Sequence, residues 1–336
     1  MPARFLSLDD LKEHGQLPRF GSDKDFKHPV TGEPNANLCR RRGSFDADNT
    51  CFIYVSHLWL RPSQDLPSAG HPDDEQKSKY RLILEALEKL CGGDTRPIPA
   101  GMEVALWIDY CCIDQDDAPS SELQNLGNLI GDCDLMLTPV VDVDHASWEY
   151  PEMSPRGRVQ GVSPDDLFAQ YQAAGWQEYW SRGWCRAEAM AAAVKPVAVG
   201  RAELFCGSLQ VAMLAQRRPH VLFGTKELEQ ERSPYFLPPL LHSAFDQFAP
   251  EKGSLTKESD RAAVRWLTEE ARKDIKELVG GVGGRLGGRS PGRGAGWRPG
   301  RGGAAARAAK RGKAGGRQTD GKVLHLRGGA PLSRIC

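Results

Sequence analysis

The sequence contains no uninterrupted apolar run of about 20 residues, the length that a membrane-spanning helix needs. Its first eleven residues also lack the apolar core of a secretory signal and already include acidic side chains. These two absences predict a protein with no membrane contact that resides in the cytoplasm.

Cys-x-x-Cys pairs are absent as well, which argues against a structural zinc site. The nine cysteines are an odd number, and several stand inside apolar runs. We therefore expect buried free thiols in a reducing compartment rather than a disulfide framework. The acidic residues around Asp116 and Asp117 lack the glycine and the final glutamate of a calcium loop. No bound metal and no resident cofactor are expected.

Charge is balanced over the whole chain but not along it. Residues 280–336 hold 13 basic and 1 acidic side chains, whereas the rest holds 31 basic and 43 acidic ones. Eighteen of the 36 glycines also lie in this last segment, which has too little apolar surface to offset the entropy cost of folding. The pattern predicts a disordered Gly/Arg-rich tail. Such a tail is typical of weak, salt-dependent nucleic-acid binding, or it is an extension without a role.

Short apolar runs alternate with helical patterns in the acidic part of the chain. Buried strands are predicted at residues 51–56, 104–109 and 135–141, and amphipathic helices at 75–91, after Ser120 or Ser121, at 184–194 and at 259–279. This alternation is typical of an α/β fold with a mostly parallel sheet and helices on both faces. Two further strands are predicted at 197–199 and 204–206.

The domain organisation predicted from these patterns has four parts. They are a loosely ordered segment at 1–48, an α/β domain at 49–215 with an irregular insertion at 142–177, a helical extension at 216–279 and the tail at 280–336.

Polar and aromatic side chains directly follow the first predicted strand. In open α/β sheets, ligands bind beyond the carboxyl ends of the strands. Ser56 offers a hydroxyl group, Trp59 a stacking face and Arg61 a charge for a phosphate, with His57 between them. Alternatively, His57 and Trp59 pack beneath the following loop.

Asp109 occupies the equivalent position at the end of the second predicted strand. A carboxylate there can orient a ribose hydroxyl or cap a loop. Cys111 and Cys112 follow it, and we interpret them as buried structural thiols, since no histidine stands at a spacing that would activate them.

A third block opens the Ala-rich helix. Trp184 and Glu188 are four residues apart and share one helix face, so the indole ring can lie next to the carboxylate. A partly desolvated glutamate of this kind can bind a sugar hydroxyl. The alternative is a surface glutamate that pairs with a neighbouring arginine.

Taken in order, these blocks resemble the TIR superfamily, and most closely the TIR-like and heterokaryon-incompatibility-like proteins of protists, algae and fungi. The resemblance spans about residues 50–210 and rests on residues 54–59, 107–115, 133–138 and 182–188. It implies a flavodoxin-like, three-layer αβα fold with a central, mostly parallel sheet.

The resemblance also implies two possible functions. TIR domains either assemble with one another to pass on a signal or cleave NAD at the bond between nicotinamide and ribose. Glu188 matches the acting glutamate of the cleaving members, Trp184 matches its partner, and Ser56 matches the serine after the first strand. NAD would then be a substrate, and no metal is needed.

Three hypotheses therefore follow from the sequence. The first is an NAD-cleaving enzyme with Glu188 as the catalytic residue. The second is a non-catalytic module that self-associates in immune or stress signalling. The third is an RNA-associated protein that binds through its tail. The long insertion at 142–177 departs from a compact TIR domain and would either cover the site or block it, and the loop at 62–74 is also long.

Overall fold

The computed structural model describes residues 3–21, 27–61, 70–92, 96–114, 125–141, 174–215, 217–237 and 244–284. All of them belong to one compact unit of the chain. The predicted insertion at 142–177 lies outside these residues except for its last four, which begin a helix. Within the described residues, no helix combines the length and the apolar character needed to cross a bilayer.

Strands of the described residues form a seven-stranded sheet. They are β1 (Arg4–Ser7), β2 (Cys39–Arg41), β3 (Thr50–Val55), β4 (Glu103–Trp107), β5 (Leu135–Val140), β6 (His220–Gly224) and β7 (Tyr235–Phe236). Their order across the sheet is β2-β1-β4-β3-β5-β6-β7. The four inner strands β4, β3, β5 and β6 run parallel, while β1 and β7 pair antiparallel to their inner neighbours. The chain therefore has the α/β fold that the sequence predicts, with a mixed and mostly parallel sheet.

The inner strands form because their side chains suit a sheet that is covered on both faces. Strand β3 reads Thr-Cys-Phe-Ile-Tyr-Val, and all six of its residues are buried, as are all six of β5. Continuous apolar, β-branched and aromatic runs are typical of buried parallel strands. The strands predicted at 51–56, 104–109 and 135–141 are confirmed by β3, β4 and β5 to within one or two residues.

Ten α-helices occur among the described residues. They are α1 (Leu8–His14), α2 (Ser78–Cys91), α3 (Asp109–Cys112), α4 (Leu126–Asp132), α5 (Ala174–Ser181), α6 (Gly183–Val194), α7 (Gly207–Leu214), α8 (Thr225–Glu229), α9 (Ala244–Gln247) and α10 (Arg261–Gly284). Helices α4, α6 and α10 pack against one another, and α2 packs with α8 beside β5 and β6. The helices predicted at 75–91, 184–194 and 259–279 are confirmed as α2, α6 and α10.

The segment at 1–48 is more ordered than the sequence predicts. It supplies β1, β2 and α1, and β1 is hydrogen-bonded to β4 inside the sheet. Ser7 caps α1 by accepting a hydrogen bond from the Asp10 amide, and Gly15 ends the helix at a φ of 76°. The prediction of a loosely ordered lead-in was therefore wrong. These strands are short and contain arginines, Arg4 in β1 and Arg40 and Arg41 in β2, so they show no continuous apolar run.

Two other sequence predictions require correction. Residues 197–199 and 204–206 are not strands, because the chain there forms a turn and the 3₁₀ helix Arg201–Leu204. The segment at 216–279 is not only helical, because it also contributes β6 and β7 to the sheet. Helix α10 runs on to Gly284, into the predicted tail, and residues 285–336 of that tail lie outside the described part.

Helix α6 is fixed at its start by a close backbone contact. The Gly183 amide donates to the Ser254 carbonyl at 2.9 Å. A Cβ atom placed on Gly253 would lie 2.4 Å from the Gly183 nitrogen and 2.5 Å from its Cα. Only glycine at residue 253 permits this approach, which holds the start of α6 against residues 253–254.

Candidate functional site

Several of the polar residues predicted from the sequence lie together at the carboxyl edge of the parallel sheet. Ser56 directly follows β3, and its amide continues the ladder by donating to the Leu137 carbonyl at 2.9 Å. Asp109 begins α3 two residues beyond the end of β4. Because β3 and β4 are parallel neighbours, their carboxyl ends bring Ser56 and Asp109 to the same edge.

Glu188 on α6 reaches this edge and contacts Ser56 directly. The Ser56 hydroxyl donates to Glu188 Oε2 at 2.5 Å. Tyr54, which lies two residues earlier on β3, also makes a side-chain hydrogen bond to Glu188. Residues two apart on a strand share a face, so one face of β3 presents both hydroxyl groups to the carboxylate.

The carboxyl group of Glu188 is strongly perturbed. Desolvation by the surrounding protein raises its pKa from 4.5 to about 8, and the charge of Asp109 acts in the same direction. The hydrogen bonds from Ser56 and Tyr54 act in the opposite direction but do not outweigh the burial. The residue as a whole is only half-buried, so solvent reaches part of it. At pH 7 the resting protein therefore holds Glu188 mainly in its protonated form.

A buried chain of polar side chains continues behind Ser56. The hydroxyl oxygens of Ser56 and Tyr179 lie 2.7 Å apart. Tyr179 is hydrogen-bonded in turn to the side chain of Thr138 on β5. Thr138 Oγ1 lies 2.7 Å from Nε2 of His220 on β6. Polar groups from β3, α5, β5 and β6 are thus connected to Glu188.

A second group of contacts surrounds Asp109. Its two carboxylate oxygens lie 2.8 Å from His57 Nε2 and 2.9 Å from the donating Trp59 Nε1. The Tyr110 amide also donates to Asp109, at 2.6 Å. These donors and His57 lower the pKa of Asp109 although burial opposes them. Asp109 is therefore an ionised group at physiological pH, and it remains partly open to solvent, with 35% of its side chain exposed.

His57 is buried and neutral. Desolvation lowers its pKa, and the attraction of Asp109 only partly compensates. Its Nδ1 atom has no hydrogen-bond partner and no solvent contact. This burial favours the alternative that His57 packs beneath the loop over direct contact with a ligand. The contact that the structure gives His57 is its hydrogen bond to Asp109.

Lys79 is a buried cation that the sequence does not single out. Its ammonium group donates to the Leu58 carbonyl. Burial lowers its pKa from 10.5 to about 8, while Asp73 and Asp109 act in the opposite direction. Asp73 caps α2 by accepting from the amides of Lys79 and Tyr80, at 2.8 and 2.9 Å. Lys79 thereby ties the loop after Ser56 to the start of α2.

Two predicted site residues are engaged elsewhere. Arg61 is exposed, and its Nε donates to the Asp73 carbonyl at 2.8 Å. Trp184 donates from its indole nitrogen to Asp260 at 3.2 Å, close to the start of α10. The aromatic groups that touch Glu188 and Ser56 are instead Tyr54 and Tyr179.

Sequence reasoning missed both tyrosines for different reasons. Tyr54 carries a usable signal, because the period of two along a strand places it beside Ser56. Tyr179 lies on α5, separated from Glu188 by the break between helices at Arg182. No local spacing predicts its contact with Ser56, which depends on how α5 packs against the sheet.

The carboxyl edge of the sheet carries ionisable side chains. Among the described residues, no group of three or more His, Cys, Asp or Glu side chains is placed to hold a metal ion. The edge offers two carboxyl groups, Glu188 and Asp109, with opposite pKa shifts. Such a pair is typical of sites that handle charge or protons.

Comparisons with known proteins identified no similar protein. A scan against protein-family models, a search of curated proteins and a search of solved structures each found no match to this chain.

Proposed function

We propose that this protein is a TIR-like signalling enzyme that cleaves NAD at the bond between nicotinamide and ribose, with Glu188 as the catalytic residue. The observation that carries the proposal is the direct hydrogen bond from Ser56 to Glu188 at the carboxyl edge of the parallel sheet. The two residues are 132 positions apart in the chain, and each was singled out from its own block.

The strand order supports the fold that the TIR resemblance implies. Numbered along the chain, the four parallel strands lie in the order second, first, third, fourth. This is the beginning of the order found in flavodoxin-like sheets, where ligands bind at the carboxyl edge. We propose on this basis that the fold is flavodoxin-like.

The electrostatics of the edge suit the loss of nicotinamide. As the glycosidic C–N bond breaks, its electron pair leaves with neutral nicotinamide, and positive charge develops on the ribose as an oxocarbenium ion. An ionised Glu188 stabilises that charge at short range, and Asp109 adds a second negative charge nearby. Water then adds to the ribose carbon and releases a proton, which gives ADP-ribose.

The raised pKa of Glu188 fits this role. In the free protein the carboxyl group is mainly protonated at pH 7, because burial disfavours its charge. The positive nicotinamide ring of NAD compensates for that cost when it binds. Because the carboxylate of Glu188 is then poorly solvated, it interacts strongly with the positive charge on the ribose. Ser56 and Tyr54 hold the carboxylate in place.

Nicotinamide release by the full-length chain tests the proposal. We expect turnover of NAD that falls by about 100-fold or more in Glu188→Gln, the size of effect found when one electrostatic contact to a transition state is removed. Glu203→Gln is the matched control, because Glu203 is exposed and lies outside the site. Thermal unfolding of both variants verifies that they are folded.

Two outcomes would contradict the proposal. One is equal turnover in Glu188→Gln and the unaltered protein. The other is no nicotinamide release by the unaltered protein at any concentration, including those at which it associates.

A second candidate function, an association module without turnover, is supported by apolar side chains at the surface. Val199 is fully exposed, and Val211 and Leu214 on α7 are 68% and 65% exposed. Val211 and Leu214 are three residues apart and therefore neighbours on one face of α7, and adjacent exposed apolar groups are typical of interaction sites. Sedimentation of the full chain and of Val211→Ser with Leu214→Ser tests this candidate, which requires that the double variant associates less.

A further inference from the structure

The side chains behind Glu188 form a linear series of hydrogen bonds. The series runs through Glu188, Ser56, Tyr179, Thr138 and His220. The bonded atoms are 2.5 Å apart between Glu188 and Ser56, 2.7 Å between Ser56 and Tyr179, and 2.7 Å between Thr138 and His220. The fourth link joins Tyr179 to Thr138. The last four members are buried, with at most 8% of any residue exposed. Water therefore has little access to replace a partner within the series.

The number of hydrogens fixes the direction of every bond when Glu188 is ionised. A carboxylate only accepts, and each hydroxyl group carries one hydrogen. Ser56 must therefore donate to Glu188 and accept from Tyr179. Tyr179, having given its hydrogen to Ser56, accepts from Thr138.

Thr138 in turn has one hydrogen, which points to Tyr179. Its oxygen then accepts from the histidine, so Nε2 of His220 must carry a proton. His220 is neutral, since burial lowers its pKa to about 3. Its proton can therefore sit on either ring nitrogen, and the series selects Nε2.

We propose that Tyr179, Thr138 and His220 are positioning residues, which hold the Ser56 hydrogen on the ionised Glu188 through a single polarised chain that ends at the Nε2–H tautomer of His220. Successive bonds that point the same way strengthen one another in a dry environment. Loss of the charge on Glu188 removes this constraint, because a protonated carboxyl group can donate to Ser56 and reverse the chain. The part that these residues play in turnover rests on the proposed function, whereas the coupling of His220 to Glu188 does not.

Nitrogen NMR of the full chain with ¹⁵N-labelled histidine tests the coupling. The chain has eight histidines, and the spectrum of His220→Gln identifies the signals of His220 by their loss. At pH 9, where Glu188 is ionised, we expect a neutral His220 with its proton on Nε2. Between pH 9 and pH 6 its nitrogen shifts should move with the midpoint of the Glu188 carboxyl signal, followed by ¹³C. In Glu188→Gln this movement should be absent.

Thr138→Val and Thr138→Ser form the matched pair. The valine variant removes the hydroxyl group that joins Tyr179 to His220, and the serine variant keeps it. We expect the valine variant to raise the midpoint of the Glu188 titration by about half a pH unit and to stop the response of His220, because the chain no longer supports the charge. The serine variant should behave like the unaltered protein. If the valine variant does not fold, Tyr179→Phe interrupts the chain one link earlier, with the same expected result.

The inference is overturned by a proton on Nδ1 of His220 at pH 9, by a His220 titration that persists in Glu188→Gln, or by equal Glu188 midpoints in the valine and serine variants. None of these measurements involves NAD. A chain that passes them but releases no nicotinamide would contradict the proposed function alone.

Discussion

Replacement of Glu188 by glutamine removes a carboxyl group with a perturbed pKa. Burial raises the pKa of this group from 4.5 to about 8. Between these two pH values the folded state keeps a proton that the unfolded state has already released. The contribution of Glu188 to stability is therefore complete below pH 4.5 and is lost as the pH rises through about 8. Glutamine cannot ionise, so the variant lacks this loss.

The size of the effect follows from the shift. One pKa unit corresponds to about 1.4 kcal/mol, so about 3.5 units set an upper limit of about 5 kcal/mol. Because part of Glu188 reaches solvent, water screens its charge, and we expect about 3 kcal/mol. The unaltered protein should thus lose about 3 kcal/mol more stability than Glu188→Gln between pH 5 and pH 9.

Urea unfolding of both proteins at several pH values measures this difference directly. Other buried groups titrate in the same range, among them Glu227, whose pKa rises to about 7, and Lys79, whose pKa falls to about 8. They are present in both proteins and cancel in the comparison. A difference in unfolding free energy that stays constant from pH 5 to pH 9 would refute the burial of an ionisable Glu188.

Three further predictions concern the frame that holds the site. Gly253→Ala should destabilise the protein by about 1–3 kcal/mol in urea unfolding, because the added Cβ meets the Gly183 backbone. The control Gly43→Ala has open space around its Cβ and should be neutral. Equal effects of the two substitutions would contradict the contact. Asp134 binds Arg201 through both carboxylate oxygens. Asp134→Asn should therefore lower the unfolding free energy by about 3–5 kcal/mol, because Arg201 loses its buried charged partner. A loss below 1 kcal/mol by the same method would count against this ion pair. A fragment that starts at residue 45 lacks β1 and β2 and should lose cooperative thermal unfolding, and a cooperative transition at the full-length midpoint would show that these strands are dispensable.

Three of the four inner strands, β3, β4 and β5, were predictable because continuous buried runs mark them in the sequence. Strands β3 and β5 are buried along their whole length and mostly apolar, so their positions follow from sequence alone. The ends of such strands then locate Ser56 and Asp109 at one edge. Glu188 lies on a helix, so its prediction rests instead on its spacing from Trp184 and on the resemblance to TIR domains.

The remaining strands depend on partners distant in the chain. Strand β1 is four residues long and starts with Arg4, and β2 is three residues long and ends with Arg41. Strand β1 pairs with the edge of β4, and β2 pairs with β1. No local sequence pattern predicts these pairings. Strand β6 is five residues long, and its place beside β5 follows from tertiary packing.

The detailed site was least predictable, because its contacts join separate elements. Trp184 shares a helix face with Glu188 by spacing, yet its indole group binds Asp260. Tyr179 reaches Ser56 only through the packing of α5 against the sheet. Spacing along one helix predicts which residues share a face but not which neighbour that face meets.

The dependence of kcat/KM for NAD on pH tests the central claim most directly, because it reports the protonation state that the free protein needs for catalysis. If ionised Glu188 stabilises the ribosyl cation, kcat/KM should rise about tenfold per pH unit below about pH 8 and level off above it. Glu188→Gln should retain neither the rate nor the rise. A kcat/KM that stays constant from pH 6 to pH 9, or that survives in Glu188→Gln, would contradict the assignment of Glu188 as the catalytic residue.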